Sequence, residues 1–356
     1  MPPTPIRRPL TITAWVLMST LVMVLSPLVL AAGAVASALL HRPQARVLAR
    51  LIVEYFAREL VVLVACAGLW IASGCGWQIQ ARRLRRAHYR LLRWFVSGLA
   101  ARARDLLAID VAPDAAPEAA VALAGEQPVL FFSRHAGPGD TILLIDLLMT
   151  RYDRRPSIVF KDALTIDPCV DLLGHRLPHA VLDPADADEC EARIEEVAAH
   201  LGRRGTLVLF PEGGNFTPQR RRRAIASLRR KGRNAEAAAG ERMTNVMPPH
   251  PGGALAALRG NPSCDVVFSG HTGLGLAAFP AELWRDPPFG RTLRTNMWVV
   301  PATERPSDPD EQVAWLYRWW AQIDDWVQAH GEPTPDQHVD TARDARGRHT
   351  GRGAQT

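Results

Sequence analysis

Residues 10–40 carry no charge, and within them TAWVLMSTLVMVLSPLVLAAGAVASALL is dominated by Leu, Val, Met and Ala. Such a run leaves few folding options. Roughly 20 apolar residues suffice to cross the hydrocarbon layer of a bilayer, and inside that layer every backbone polar group must be satisfied within the segment, which selects a helix. A secretory signal is the competing reading, with Arg7 and Arg8 as its basic start and the small residues around Ala36 as a cleavage site. The apolar core of a signal is usually about 7 to 15 residues. The run here is longer, so a membrane helix over about 10–40 is expected.

A second apolar run, residues 61–77, follows Glu54, Arg58 and Glu59. It fits a second span, a re-entrant segment or a buried helix, drawn here as a helix over about 51–78. Next comes ARRLRRAHYRLLRWFVSGLAARAR, in which arginines interleave with Leu84, Leu91, Leu92, Trp94, Phe95 and Leu99. A solvated arginine face would explain the charge alone, but this interleaving beside a span suits a basic amphipathic helix, about 80–105, lying on anionic membrane lipids. The positive-inside rule places this cluster, Arg7 and Arg8 in the cytoplasm. The expectation is a helical-hairpin anchor over 1–110 in the cell membrane, with the catalytic bulk cytoplasmic. Five dispersed cysteines without a CxxC pair fit free thiols in a reducing compartment.

Residues 111–127 are Ala/Pro-rich and read as a linker. From Pro128, short apolar runs at 128–133, 157–160, 206–210, 265–270 and 296–302 alternate with helical patterns at 140–152, 189–201, 220–232 and 308–329. Buried strands alternating with helices define an α/β fold, a mostly parallel or mixed sheet covered by helices. Asp308, Pro309 and Glu311 mark a helix start. The domain is expected to span 128–330, and residues 331–356, poor in large apolar side chains, to form an unstructured tail.

Two stretches carry chemistry. In FFSRHAGPGDTILL a strand runs into His135, and Asp140 opens the next helix. The two side chains can meet, the carboxylate orienting the imidazole and stabilising the imidazolium. A bland alternative has Asp140 capping its helix beside a loop histidine. Ser133 lacks a G-x-S-x-G elbow, which leaves a substrate hydroxyl as nucleophile. In TLVLFPEGGNFTPQRRRRAIASLRRKGR, Gly213 and Gly214 let backbone N–H groups approach an oxyanion or phosphate, and Arg220 to Arg223 supply charge. Nucleic acid is not favoured, because Phe216 is the one aromatic nearby and no stacking platform accompanies the charge. His175 and His179 have a spacing that suggests a metal, but Pro178 breaks the helix that would align them, and no metal is expected.

His-x4-Asp after one strand and Phe-Pro-Glu-Gly after a later one, behind an apolar anchor, resemble the glycerolipid acyltransferases typified by 1-acylglycerol-3-phosphate acyltransferase. The resemblance covers about residues 128–330. VMPPHPGG (246–253) looks like that family's fourth block, and NFTPQRRRRAI with WLYRWWAQIDDWV looks like its lysophospholipid-remodelling branch. The resemblance implies that His135 is the general base and Asp140 its partner. It makes Glu212 and Gly213 acceptor-binding, and Pro248 or Pro249 donor-binding.

Two blocks depart from the pattern. Gly214 and Asn215 stand where a Thr-Arg pair is usual, so Arg220 or Arg221 is expected to hold the acceptor's phosphate. The second block falls near GHRLPHA, with Arg176 as the substitute. The implied reaction moves a fatty acyl group from acyl-CoA or acyl carrier protein to a lysophospholipid, giving phosphatidic acid from 1-acylglycerol-3-phosphate, without a cofactor. A remodelling acyltransferase, a non-catalytic lipid-binding protein of the same fold and a thioester hydrolase are the alternatives.

Charge sharpens this picture. Residues 78–105 and 203–233 together hold 18 basic residues against two acids, which leaves 24 basic against 34 acidic elsewhere. The formal +6 is an average over two basic strips, one beside the anchor and one beside the proposed substrate site.

Overall fold

The computed structural model describes residues 4–274 and 284–331, so nearly all of the expected tail lies outside the described residues. The chain opens with four helices, α1 (Thr4–Val24), α2 (Ser26–Leu39), α3 (Gln44–Ala72) and α4 (Arg82–Leu107). An alternating region follows: β1 (Asp110–Pro113), α5 (Pro117–Ala124), β2 (Val129–Ser133), α6 (Pro138–Thr150), β3 (Arg155–Lys161), a 3₁₀ turn (Asp162–Ile166), α7 (Pro168–Arg176), β4 (Ala180–Leu182), α8 (Ala187–Ala199) and β5 (Gly205–Leu209). It is completed by α9 (Pro218–Arg230), α10 (Asn234–Arg242), α11 (Pro251–Gly260), β6 (Asp265–Thr272), β7 (Thr292–Val300) and α12 (Pro309–His330).

The seven strands form one mixed sheet in the order β1-β7-β6-β2-β5-β3-β4. β2, β5, β3, β4 and β6 run parallel, β7 lies antiparallel to β6, and β1 pairs parallel to β7. The central strands are almost wholly buried and largely apolar because both faces are covered. On β2, Leu130 and Phe132 point toward α8, α11 and α12, while Val129 and Phe131 point toward α5 and α6. Strand side chains alternate between faces, so one short run feeds two cores. On the first face Phe268 stacks on Trp319 at 4.6 Å and meets Trp315 edge-on at 5.1 Å.

Residues 111–127 are not a linker in the structure. They supply most of β1 at the sheet edge and all of α5, whose Ala119 and Leu123 are fully buried. The Ala/Pro composition that reads as nondescript is what a short helix pressed against a sheet requires. β4 and α7 were also not read from the sequence, nor were α10 and α11. β4 is three residues long, and α11 contains Gly252, Gly253 and Gly260, poor helix formers in isolation. Packing explains them: a Cβ on Gly260 would stand 2.3 Å from the Glu195 carbonyl oxygen of α8.

The N-terminal region also departs from the expectation of one helix over 10–40. α1 and α2 meet at a 64° bend. Pro27 has no N–H to offer the Met23 carbonyl, and the Ser26 hydroxyl donates to that carbonyl at 2.7 Å instead. α3 is long and apolar enough to cross a membrane by length and composition, and the bent α1–α2 pair passes the same measure if taken as one span. Gly33 of α2 lets the two segments approach, since a Cβ there would lie 2.5 Å from that of Ala49.

These helices share a core with the rest of the chain. Val62, Leu63 and Cys66 of α3 and Leu92 and Val96 of α4 pack with Ile145 and Met149 of α6 and with Leu173 of α7. Arg7 is buried and Arg8 partly so. They bind Asp171 of α7 at 2.9 and 2.6 Å, and Arg7 also donates to the Thr165 carbonyl.

Candidate active site

In an open α/β sheet, ligands bind beyond the carboxyl ends of the parallel strands. β2, β5 and β6 end there side by side; the chain just past β2 and β5 supplies His135 and Glu212, and the last residues of β6 supply His271. A helix then returns from β2 with Asp140 in its first turn.

His135 is half-buried, its ring stacked on Phe210 at 4.5 Å, and its Nδ1 has no hydrogen-bond partner. Its backbone is fixed at both ends: its N–H donates to Glu212 Oε1 at 3.0 Å, and its carbonyl accepts from the Phe216 N–H at 2.9 Å. Burial lowers the imidazole to about 4, helped by the positive charges of Lys161 and then Arg220. The ring is thus held as a free base.

Among the described residues no hydrogen bond or ion pair joins His135 to Asp140. The Asp140 carboxylate, nearly fully buried, instead faces Nδ1 of His271 at 3.6 Å. His271 Nε2 lies 2.9 Å from the Arg134 carbonyl, which can only accept. That contact assigns the proton to Nε2 and turns the Nδ1 lone pair toward Asp140. Burial pushes the Asp140 carboxyl up to about 7, with Arg134 pulling the other way, and lowers His271 to about 3. A neutral acid facing a neutral imidazole suits so dry a site.

Glu212 has no solvent exposure. Oε1 accepts from His135 and Oε2 from the Met247 N–H, each at 3.0 Å, so this carboxylate joins the histidine loop to the 244–247 segment. Burial raises it to about 7 against the pull of Arg134 and the two N–H groups. Asp324 of α12 holds the same segment from behind, accepting from the N–H groups of Thr244, Asn245 and Val246. Arg134 completes the frame by donating to the Asn245 and His271 carbonyls.

The other expected site residues separate into two groups. Gly213 adopts φ +66°, which favours glycine, and its N–H closes the turn on the Phe210 carbonyl at 3.0 Å. Gly214 lies beside the guanidinium of exposed Arg220, which donates to the Asn215 carbonyl at 3.3 Å. Arg221 turns inward and binds the carbonyls of Met243, Gly240 and Glu241, ending α10. Arg176 is remote from this cluster: it donates to the Cys66 carbonyl of α3 at 2.8 Å and contacts His88. Pro248 and Pro249 are buried, the first against Gly240 and the second with its carbonyl accepting from Tyr317. His175 and His179 serve separate partners, Asp171 and the Ile158 N–H.

Lys161, His271 and Asp324 escaped the sequence reading. Lys161 ends β3 and is one of two lysines in the chain, the signal that was available. His271 lies one residue before the end of β6, and its role depends on β6 lying beside β2.

The site therefore holds a free imidazole base, two buried carboxyls and two exposed cations at the carboxyl ends of the central strands. A family model described as Acyltransferase matches residues 111–266, from β1 to the start of β6, and includes both motifs. That match agrees with the resemblance the two motifs carry. His271 and Asp324 lie beyond it. No curated protein and no solved structure matches the chain.

Proposed function

We propose that this chain is a membrane-bound O-acyltransferase that acylates the free hydroxyl of a lysophospholipid, with 1-acylglycerol-3-phosphate as acceptor and acyl-CoA or acyl carrier protein as donor. The observation that carries this reading is the placement of exposed Lys161 and Arg220 close enough to His135 for both charges to depress its imidazole. A phosphate bound between them would sit beside the base, with the glycerol hydroxyl toward the ring.

Binding that phosphate offsets the two charges that add to the effect of burial, and so raises the basicity of His135 when the acceptor arrives. His135 then takes the hydroxyl proton as the oxygen attacks the thioester carbonyl. The Gly214 N–H is the donor offered to the oxyanion, since that of Gly213 is taken up by the Phe210 carbonyl. Collapse of the intermediate breaks the C–S bond, and the imidazolium returns its proton to the thiolate. Asp140 and His271 pair on the buried side of the site, and Asp140, hydrogen-bonded to the Gly137 backbone, acts as a positioning residue for the loop that carries His135. Neither a cofactor nor a metal enters this sequence.

The α1–α3 segments anchor the chain in the cell membrane. The Arg7–Arg8 contact with Asp171 keeps the N-terminus on the same side as the catalytic residues, and the arginines of α4 favour the cytoplasmic, anionic face. The test is transfer of labelled acyl groups to lysophosphatidic acid by His135→Ala and Asp140→Asn variants of normal membrane yield. Both should lose at least about 100-fold in kcat. Full turnover by either removes the mechanism. A panel of lysolipids with different headgroups, run with both donor types, tests the acceptor and donor assignments.

A further inference from the structure

Large apolar side chains that are exposed cluster in the first hundred residues; past Trp94 they reduce, among the described residues, to Val121, Leu164 and Ile166. Leu164 and Ile166 share the 3₁₀ turn Asp162–Ile166 and are 55 % and 57 % exposed. The turn is held firmly: the Thr165 hydroxyl donates to the Asp162 carbonyl at 2.6 Å, and the Asp167 N–H donates to the Leu164 carbonyl at 3.2 Å. Exposure here belongs to a fixed conformation.

The position of the turn identifies what covers it. Before it stands Lys161, whose charge reaches His135. After it stands Asp167, which accepts from the Tyr55 hydroxyl of α3, and Arg7 of α1 donates to the carbonyl of Thr165 in its middle. The turn thus bridges the catalytic residues and the two apolar helical segments. Ile6 and Leu10, one helical turn apart on α1 and both exposed, flank Arg7. The apolar surface of the anchor therefore continues onto the turn, and from the turn to the cation beside the base.

We infer that Leu164 and Ile166 insert into the phospholipid leaflet at the mouth of the site, forming the surface along which a lysolipid passes from the membrane to Lys161. The inference rests on the proposed membrane attachment. Two large apolar side chains at one point beside a span lie favourably among acyl chains, and they keep the site mouth against the leaflet that holds the acceptor.

The experiment places a photoactivatable phenylalanine singly at positions 28, 121, 164 and 166 of the full chain in phosphatidylethanolamine–phosphatidylglycerol vesicles containing a labelled phospholipid. Position 28 lies on the anchor. Position 121, exposed on α5, lies one turn before Gly125, whose carbonyl accepts from Arg154 at the opposite end of β3 from Lys161. Crosslinking to lipid at 164 and 166 should approach that at 28 and exceed that at 121 at least about five-fold. Labelling at 28 with 164 and 166 no higher than 121 overturns the inference and leaves membrane attachment standing. Absence of labelling at 28 as well removes the membrane reading, and this inference with it.

Discussion

Glu212→Gln separates two roles that the Glu-Gly turn can play. In the structure Glu212 touches no open space: each oxygen accepts one backbone N–H, from His135 and from Met247, at 3.0 Å. Glutamine keeps the shape and one acceptor, but its amide nitrogen faces the other N–H, donor against donor. Charge-assisted hydrogen bonds contribute about 1.5–3 kcal/mol and neutral ones about 0.5–1.5, and a buried N–H left without an acceptor costs about 1–3. Together these give a destabilisation of about 2–4 kcal/mol, visible as a lower Tm of the detergent-purified protein. The effect on chemistry comes from the shift of His135, and an ångström of misplacement costs on the order of 100-fold.

Steady-state thiol release at varied acceptor concentration should then show kcat lower by about 10- to 100-fold with acceptor KM within about twofold. The comparison is sharpest near pH 8. Burial pushes the carboxyl up to about 7, so below that pH the wild-type residue is itself protonated and the gap to the variant narrows. A rise of about tenfold or more in acceptor KM, with kcat and Tm unchanged, would mean that Glu212 contacts the substrate and would refute the reasoning.

Arg220→Gln should raise acceptor KM at least about tenfold with donor KM unchanged, whereas Arg221→Gln, which removes three bonds to backbone carbonyls, should lower Tm and leave acceptor KM within about twofold. Asp324→Ala leaves three N–H groups without their acceptor; kcat should fall at least about tenfold while KM holds, although position 324 is outside the catalytic cluster. His135 is held at about 4 by burial, Lys161 and Arg220. The acid limb of kcat/KM, which reports the free enzyme, should therefore lie well below the usual histidine range and move upward in Arg220→Gln. Asp140 and Glu212, both raised to about 7, favour the folded state below their unfolded values, and that contribution is lost as pH rises through about 7. In Asp140→Asn the fall in Tm between about pH 5 and pH 8 should accordingly shrink.

Much of the sheet was legible because its central strands are buried on both faces. An uninterrupted run such as VLFFS admits few other fates, and the capping residue Asp308 marks a helix start that the structure retains. The positions of His135 and Glu212 could be read for the same reason, since each follows a buried strand directly. What was not legible depends on approach between distant segments. Arg220 and Arg221 are adjacent and chemically alike, yet α10 lies against one and not the other. Asp140 sits five residues from His135 and faces His271 instead, because β6 is the neighbour of β2 in the sheet. Arg176 was assigned to substrate by position in a motif, and a helix carbonyl about a hundred residues upstream claims it.

The contact of Arg7 and Arg8 with Asp171 sets an order of assembly. A ribosome delivers the two arginines first, and their carboxylate follows 164 residues after Arg7. During that interval the apolar helices must find their place with the arginine pair uncompensated, which biases the start of the chain to remain where it was made. When α7 folds, its buried aspartate closes a loop of that length and locks the earliest residues onto a late-formed helix. Hydrogen bonds from His175, Arg8 and Arg7 outweigh burial and hold Asp171 below the usual carboxylate range, so the lock stays charged across physiological pH. An extension fused ahead of Met1 would therefore burden the last step of folding, not the first.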